Sequence, residues 1–197
     1  MHTNRNDDPK KYRIAHFGAF DIESLGDSMF ARVLKTEMNR RFSDPDITLF
    51  SLNEIENPYN DNSHVYSYRQ FDEMNRTLPF DAMIIGGGEL LNFSRIKFAD
   101  KEGTDFYYEP GEIWAEPIRM ARGSHIPVLL NCIGIIDDYT PDQAAFLREY
   151  LSQVSCISLR DRFSKMRIDS VCAEGTETVE VCDNLWLFNI HYPAEEL

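Results

Sequence analysis

The chain has 197 residues, 43% of them hydrophobic, and its 20 basic against 33 acidic side chains give a net charge of −13. That length fits one domain with a sizeable core, the charge argues against nucleic acid as a partner, and no window holds the ~18 uninterrupted apolar residues of a membrane span. The N-terminal stretch MHTNRNDDPKKYR is polar and lacks the apolar centre of a signal peptide, so a cytoplasmic location with no transmembrane segment is expected.

From Tyr12 onward, short β-rich apolar runs alternate with longer helical patterns, the mark of an α/β domain with a largely parallel sheet. Strands are predicted at 13–17, 47–52, 82–85, 127–132, 156–159 and 179–181, mostly apolar on both faces as parallel strands covered by helices should be. Helices are predicted at 27–42, 112–122 and 141–154, with Met29, Phe30, Val33, Leu34 and Met38 marking the buried stripe of the first. Two stretches interrupt the alternation. NEIENPYNDNSH (53–64) is rich in turn formers and reads as a loop, and FSRIKFADKEGTDFYYEPG (93–111) reads as an aromatic, charged insertion. The four cysteines, Cys132, Cys156, Cys172 and Cys182, include no C-x-x-C pair and are read as buried thiols.

In open α/β sheets, ligands bind beyond the carboxyl ends of the strands, so the residues following each strand carry the chemistry. Those stretches are GAFDIESLGDS (18–28), GGGELL (86–91), IGIIDD (133–138) and RDRFS (160–164). Gly18 and Gly26 do not fit either stock phosphate-loop spacing. Asp27 and Ser24 stand where a helix begins, so Asp27 is either a capping carboxylate or a base toward a substrate hydroxyl. Gly86, Gly87 and Gly88 either make a tight turn or let backbone N–H groups approach a ligand, with Glu89 beside them. Arg160 is either an anion-binding fork or a brace paired with a carboxylate, and Asp161 and Ser164 follow at capping spacing. His16 is either a core residue or one that reaches the rim. Phe106, Tyr107, Tyr108 and Trp114 either pack the insertion or stack on a sugar. No histidine or cysteine cluster suggests a metal.

In order along the chain, GAFDIESLGDSM, DAMIIGGGELL, IPVLLNCIGI, CISLRDRFS and VEVCDNLWLF, with Asp183, resemble the polysaccharide pyruvyl transferase family over residues 12 to about 187. The resemblance implies a Rossmann-like domain with helices on both faces, equivalent to one half of a two-domain, glycosyltransferase-like fold. It spans 12–190 between a flexible segment (1–11) and a tail (191–197). It implies transfer of pyruvyl from phosphoenolpyruvate, a donor substrate rather than a cofactor, to a sugar of a polysaccharide or its precursor in cell-wall or exopolysaccharide synthesis. Asp27 is then the catalytic candidate, and Gly18, Ser24, Gly26, Gly86, Gly87, Gly88, Glu89, Asn131, Arg160 and Ser164 are the substrate-facing candidates. A second Rossmann-like domain or partner chain is implied for most donor contacts and a histidine, without which activity is not expected. Two positions depart from the family's usual pattern: Ser24 replaces the common Asn, and Glu89 stands where Asp or another residue is frequent. The other readings are one domain of a nucleotide-sugar glycosyltransferase and a non-catalytic carbohydrate-binding module.

Overall fold

The structure, a computed structural model, describes residues 11–22, 24–57, 63–93, 96–99, 105–108 and 110–192. Apart from Lys11, the expected flexible segment lies outside the described residues, as do 193–197 of the tail and 94–95, 100–104 and 109 of the aromatic insertion. In chain order the elements are β1 (Arg13–Phe17), α1 (Leu25–Arg41), β2 (Asp46–Ser51), β3 (Ile55–Asn57), β4 (Ser63–Ser67), α2 (Phe71–Thr77), β5 (Ala82–Gly86), β6 (Ile96–Ala99) and β7 (Asp105–Tyr108). They continue with α3 (Pro110–Gly123), β8 (Val128–Ile133), α4 (Pro141–Leu151), β9 (Cys156–Leu159), α5 (Arg162–Asp169), β10 (Thr178–Glu180) and α6 (Phe188–His191).

One eight-stranded sheet runs β10-β9-β8-β5-β1-β2-β4-β3, and β6 with β7 forms a separate antiparallel hairpin inside the aromatic insertion. Every pairing in the large sheet is parallel except β3 with β4 at its edge. The fold is therefore α/β and Rossmann-like. Strands β1 and β5 lie side by side at its centre, in register Ala15 to Met83, and the chain leaves them in opposite directions, toward β2 and toward β8. Such a reversal of strand order opens a crevice at the carboxyl ends.

Alternation along the strands splits the core. Ala15, Phe17, Met83, Ile85 and Leu130 face one way and bury Phe71 of α2, Ile118 of α3, Leu147 of α4 and Ile168 of α5. Ile14 and Ile84 face the other way, against Leu34 and Met38 of α1. Helices thus cover both faces, unequally among the described residues.

The stretch 53–64 is not simply a loop, because it contains β3 and the first residues of β4. Its polar composition belongs to an edge hairpin: Ile55 packs inward, while His64 sets its two ring nitrogens 2.5 Å and 2.8 Å from Glu56 and Glu54. The cysteines are free thiols as expected, but of the four only Cys132 is buried; Cys156 and Cys172 are half-buried and Cys182 is exposed just after the edge strand β10. Among the described residues no helix is long and apolar enough to cross a membrane.

Candidate functional site

The loop after β1 is fixed at its start and open at its end. Gly18 donates its N–H to the Phe50 carbonyl at 3.1 Å, and a Cβ there would overlap the buried ring of Phe20. Asp21 accepts from Ser51 Oγ at 2.5 Å, from the Asn53 N–H at 2.9 Å and from Asn53 Nδ2 at 2.8 Å, which ties the loop to the end of β2. Gly18 and Phe20 are therefore accounted for by packing and Asp21 by hydrogen bonds to the end of β2. The open end is the N-terminus of α1, where Ser24 is the cap and its Oγ accepts the Asp27 N–H at 3.4 Å. Asp27 itself is left with a half-buried carboxyl just inside the helix, and Gly26 is exposed beside it.

The three glycines at the end of β5, Gly86 in the strand and Gly87 and Gly88 after it, serve three purposes. A Cβ on Gly86 would overlap the Asn131 carbonyl, and one on Gly87 would overlap the ring of Phe30. Gly87 and Gly88 have φ of +90° and +89°, in the left-handed region that favours glycine. A Cβ on Gly88 would meet Asp27 Oδ1 at 3.1 Å, so this glycine borders the carboxylate. Burial pushes the Asp27 carboxyl above its ordinary range; the Ser24 hydroxyl opposes the shift, and the charges of Glu89 and Asp21 add to it.

His16 lies under this crevice and belongs to the packed interior. It is buried, stands edge-on to Phe20 at 4.8 Å, and is lowered to about 3 by burial, against the opposing effect of the Gly86 carbonyl. It is a neutral imidazole at any physiological pH. Trp114 is also buried in the core, so packing rather than sugar stacking accounts for it.

On the other side of Glu89 stands Arg160, at the end of β9. Its Nη2 pairs with Glu89 Oε1, while Asp161 Oδ2 lies 3.7 Å from its Nε and Asp183 Oδ2 lies 3.8 Å from its Nη1. Three carboxylates thus surround one guanidinium that retains partial exposure. Beneath it, a Cβ on Gly134 would overlap Nε, Cζ and Nη2. Ser164 sits deeper. Its buried Oγ accepts the Ile135 N–H at 2.9 Å and donates to Asp161 Oδ2 at 2.9 Å, while Asp161 Oδ1 accepts the Ser164 N–H at 2.8 Å. For Asp161, burial pushes upward but is outweighed by the hydrogen bonds from Ser164 and by Arg160, so its carboxyl lies below the usual range.

The segment after β10 crosses this rim. Cys132 Sγ donates to the Cys182 carbonyl at 3.4 Å and accepts the Asn184 N–H at 3.2 Å, and Leu185 packs on the cluster of Phe20, Phe30 and Leu49. Tyr192 then reaches Thr36 of α1 at 3.0 Å. Burial raises the Cys132 thiol to about 11, so it stays protonated under this strap.

The structure brings Ser24, Gly26, Asp27, Gly88, Glu89 and Arg160 to one open rim. Gly18, Gly86, Gly87 and Ser164 lie beneath it as supports, and Asn131 meets the turn through its main-chain carbonyl, which accepts the Gly87 N–H at 3.3 Å. Asp21 and Gly134 escaped sequence reasoning. Asp21 lies in the loop after β1 and Gly134 directly after β8, a weak signal, but their partners Ser51, Asn53 and Arg160 are distant in sequence.

The geometry presents a carboxylate with raised proton affinity at a helix N-terminus and, across Glu89, a guanidinium, both at the switch point of a parallel sheet. Comparison with the curated proteins and with the solved structures gave no match. The family model of polysaccharide pyruvyl transferase matches residues 25–196, nearly the whole chain and all of this rim from Leu25 onward. The chain therefore belongs to the polysaccharide pyruvyl transferase family.

Proposed function

We propose that this domain holds the sugar acceptor in one wall of a cleft where pyruvyl is transferred from phosphoenolpyruvate. The observation that carries the reading is the pairing of Asp27 and Arg160 on one rim. A carboxyl held above its ordinary range by burial is suited to take a proton from a hydroxyl, and a guanidinium fork is suited to a carboxylate or phosphate. In the proposed reaction two acceptor hydroxyl oxygens bond to C2 of phosphoenolpyruvate and the C2–O bond to phosphate breaks. One hydroxyl proton ends on the methyl carbon and the other on the released phosphate. Asp27 takes the first of these protons from the acceptor and Arg160 balances donor charge.

A second Rossmann-like domain, in the same gene product or in another chain, closes the cleft in this reading. The exposed apolar side chains at or beside the rim, Leu25, Ile136, Phe163 and Trp186, support it, because water is a poor partner for such a set and a protein surface a good one. The test is thermal melting of the full gene product with phosphoenolpyruvate and, separately, with nucleotide-sugars. Stabilisation by phosphoenolpyruvate is expected; stabilisation by nucleotide-sugars alone would overturn the donor and favour a glycosyltransferase.

A further inference from the structure

Gly134 follows β8, where the strand is irregular: Cys132 has φ +57° and the register with β9 shifts between Leu130 and Ile133. The Gly134 N–H is spent on the Gly88 carbonyl at 3.0 Å, which ties this turn to the glycine turn after β5. The Arg160 N–H donates to the Ile133 carbonyl at 3.1 Å, so the base of Arg160 is tied to the same place. Unlike Gly87 and Gly88, Gly134 does not have a positive φ, so the backbone conformation does not demand glycine. What demands it is a single side chain. The three nearest atoms to a Cβ at this position are Nε, Cζ and Nη2 of Arg160.

We propose that Gly134 is a positioning residue whose missing Cβ forms the seat of the Arg160 guanidinium. The plate of the guanidinium lies against the Gly134 backbone, which places Nη2 on Glu89 and leaves Nη1 toward Asp183 at 3.8 Å. A methyl group at 134 lifts the plate off its seat and breaks the Glu89 pair, because Arg160 is the flexible partner and the turn is not. Arg160 would then stand at the rim with its fork turned away from an anionic donor. This extends the substrate-facing role given to Arg160 above and rests on it only for the ligand.

The test is a double-mutant cycle on the full gene product with Gly134→Ala, Arg160→Ala and the G134A/R160A pair, and with Gly123→Ala as control, since a Cβ at 123 meets nothing within 4 Å. Two readouts need no ligand: the melting temperature and the Arg160 Nε–H signal in a 15N correlation spectrum. G134A is expected to shift or broaden that signal while G123A leaves it in place. Any melting-temperature loss caused by G134A is expected to vanish in the R160A background. An unmoved Arg160 signal in G134A, or an equal loss in both backgrounds, would overturn the seat. If G134A alone does not fold, a folded double variant supports the seat and an unfolded one overturns it. With phosphoenolpyruvate as probe, G134A, R160A and the pair are expected to bind about tenfold more weakly than the parent, and alike, as loss of one charge-assisted fork implies. Parent-like binding by G134A would overturn the positioning role. A parent that ignores phosphoenolpyruvate would sink the donor assignment, while the melting cycle and the arginine signal would still decide the seat.

Discussion

At Asp27 the carboxyl is raised chiefly by burial, and this has a signed consequence for stability. The folded value lies above the unfolded one, so the native chain binds the proton more tightly and stability falls as pH rises from about the ordinary 3.8 through the raised value. Asp27→Asn is therefore expected to melt higher than the parent at pH 7. The gain should close as pH falls below 3.8, and turnover should drop by about 10²–10⁴-fold. A variant with normal turnover would return Asp27 to a helix-start role alone. His64 carries the same sign, in a higher pH window: its hydrogen bond to Glu56 raises it first, against burial, with Glu54 helping. Its contribution is complete below the ordinary 6.5 and is lost as pH rises through the raised value. An NMR titration should place its midpoint above 6.5, and Glu56→Gln should bring it back toward that value. Among single residues, the place of Asp27 was legible from its helix-start setting, and those of Glu89 and Arg160 because charged groups following apolar strands stand out. Asp21 and Gly134 were not, since each acquires its role from a partner that only the fold brings near.

Turns and helix starts differ in how much they depend on one hydroxyl. Ser164 is fully buried and is the acceptor for the Ile135 N–H, so Ser164→Ala leaves a buried donor without its bond and should cost about 1–3 kcal/mol in a denaturant melt. Ser24 is partly exposed and its capping bond is long at 3.4 Å, so Ser24→Ala should cost no more than about 1 kcal/mol. Equal losses would mean that the rim is not braced from beneath by Ser164. The central strands were readable because they are apolar on both faces and end in glycine or a charge. The edge hairpin was not, since an edge strand buries little and keeps the polar residues that mimic a loop. The segment from Asp183 to Tyr192 was missed as a folded element for a related reason: it crosses several strands in short pieces, and neither a helical nor an alternating period marks it.

For the molecule as a whole, topology does most to locate the site. Strand order reverses between β1 and β5, and the loops of four parallel strands and the C-terminal strap converge on that carboxyl rim. The chain is strongly acidic, and its rim sets the Arg160 guanidinium among Glu89, Asp161 and Asp183, so the proposed anionic donor must displace these carboxylates from the fork. The most direct measurement of the proposed reaction is to incubate the full gene product with phosphoenolpyruvate and a sugar acceptor carrying two neighbouring free hydroxyls, and to follow inorganic phosphate and the acceptor's mass together. Phosphate released one-for-one with a pyruvyl ketal on the acceptor is the expected result. Acceptor left unmodified by phosphoenolpyruvate but glycosylated from a nucleotide-sugar would contradict it.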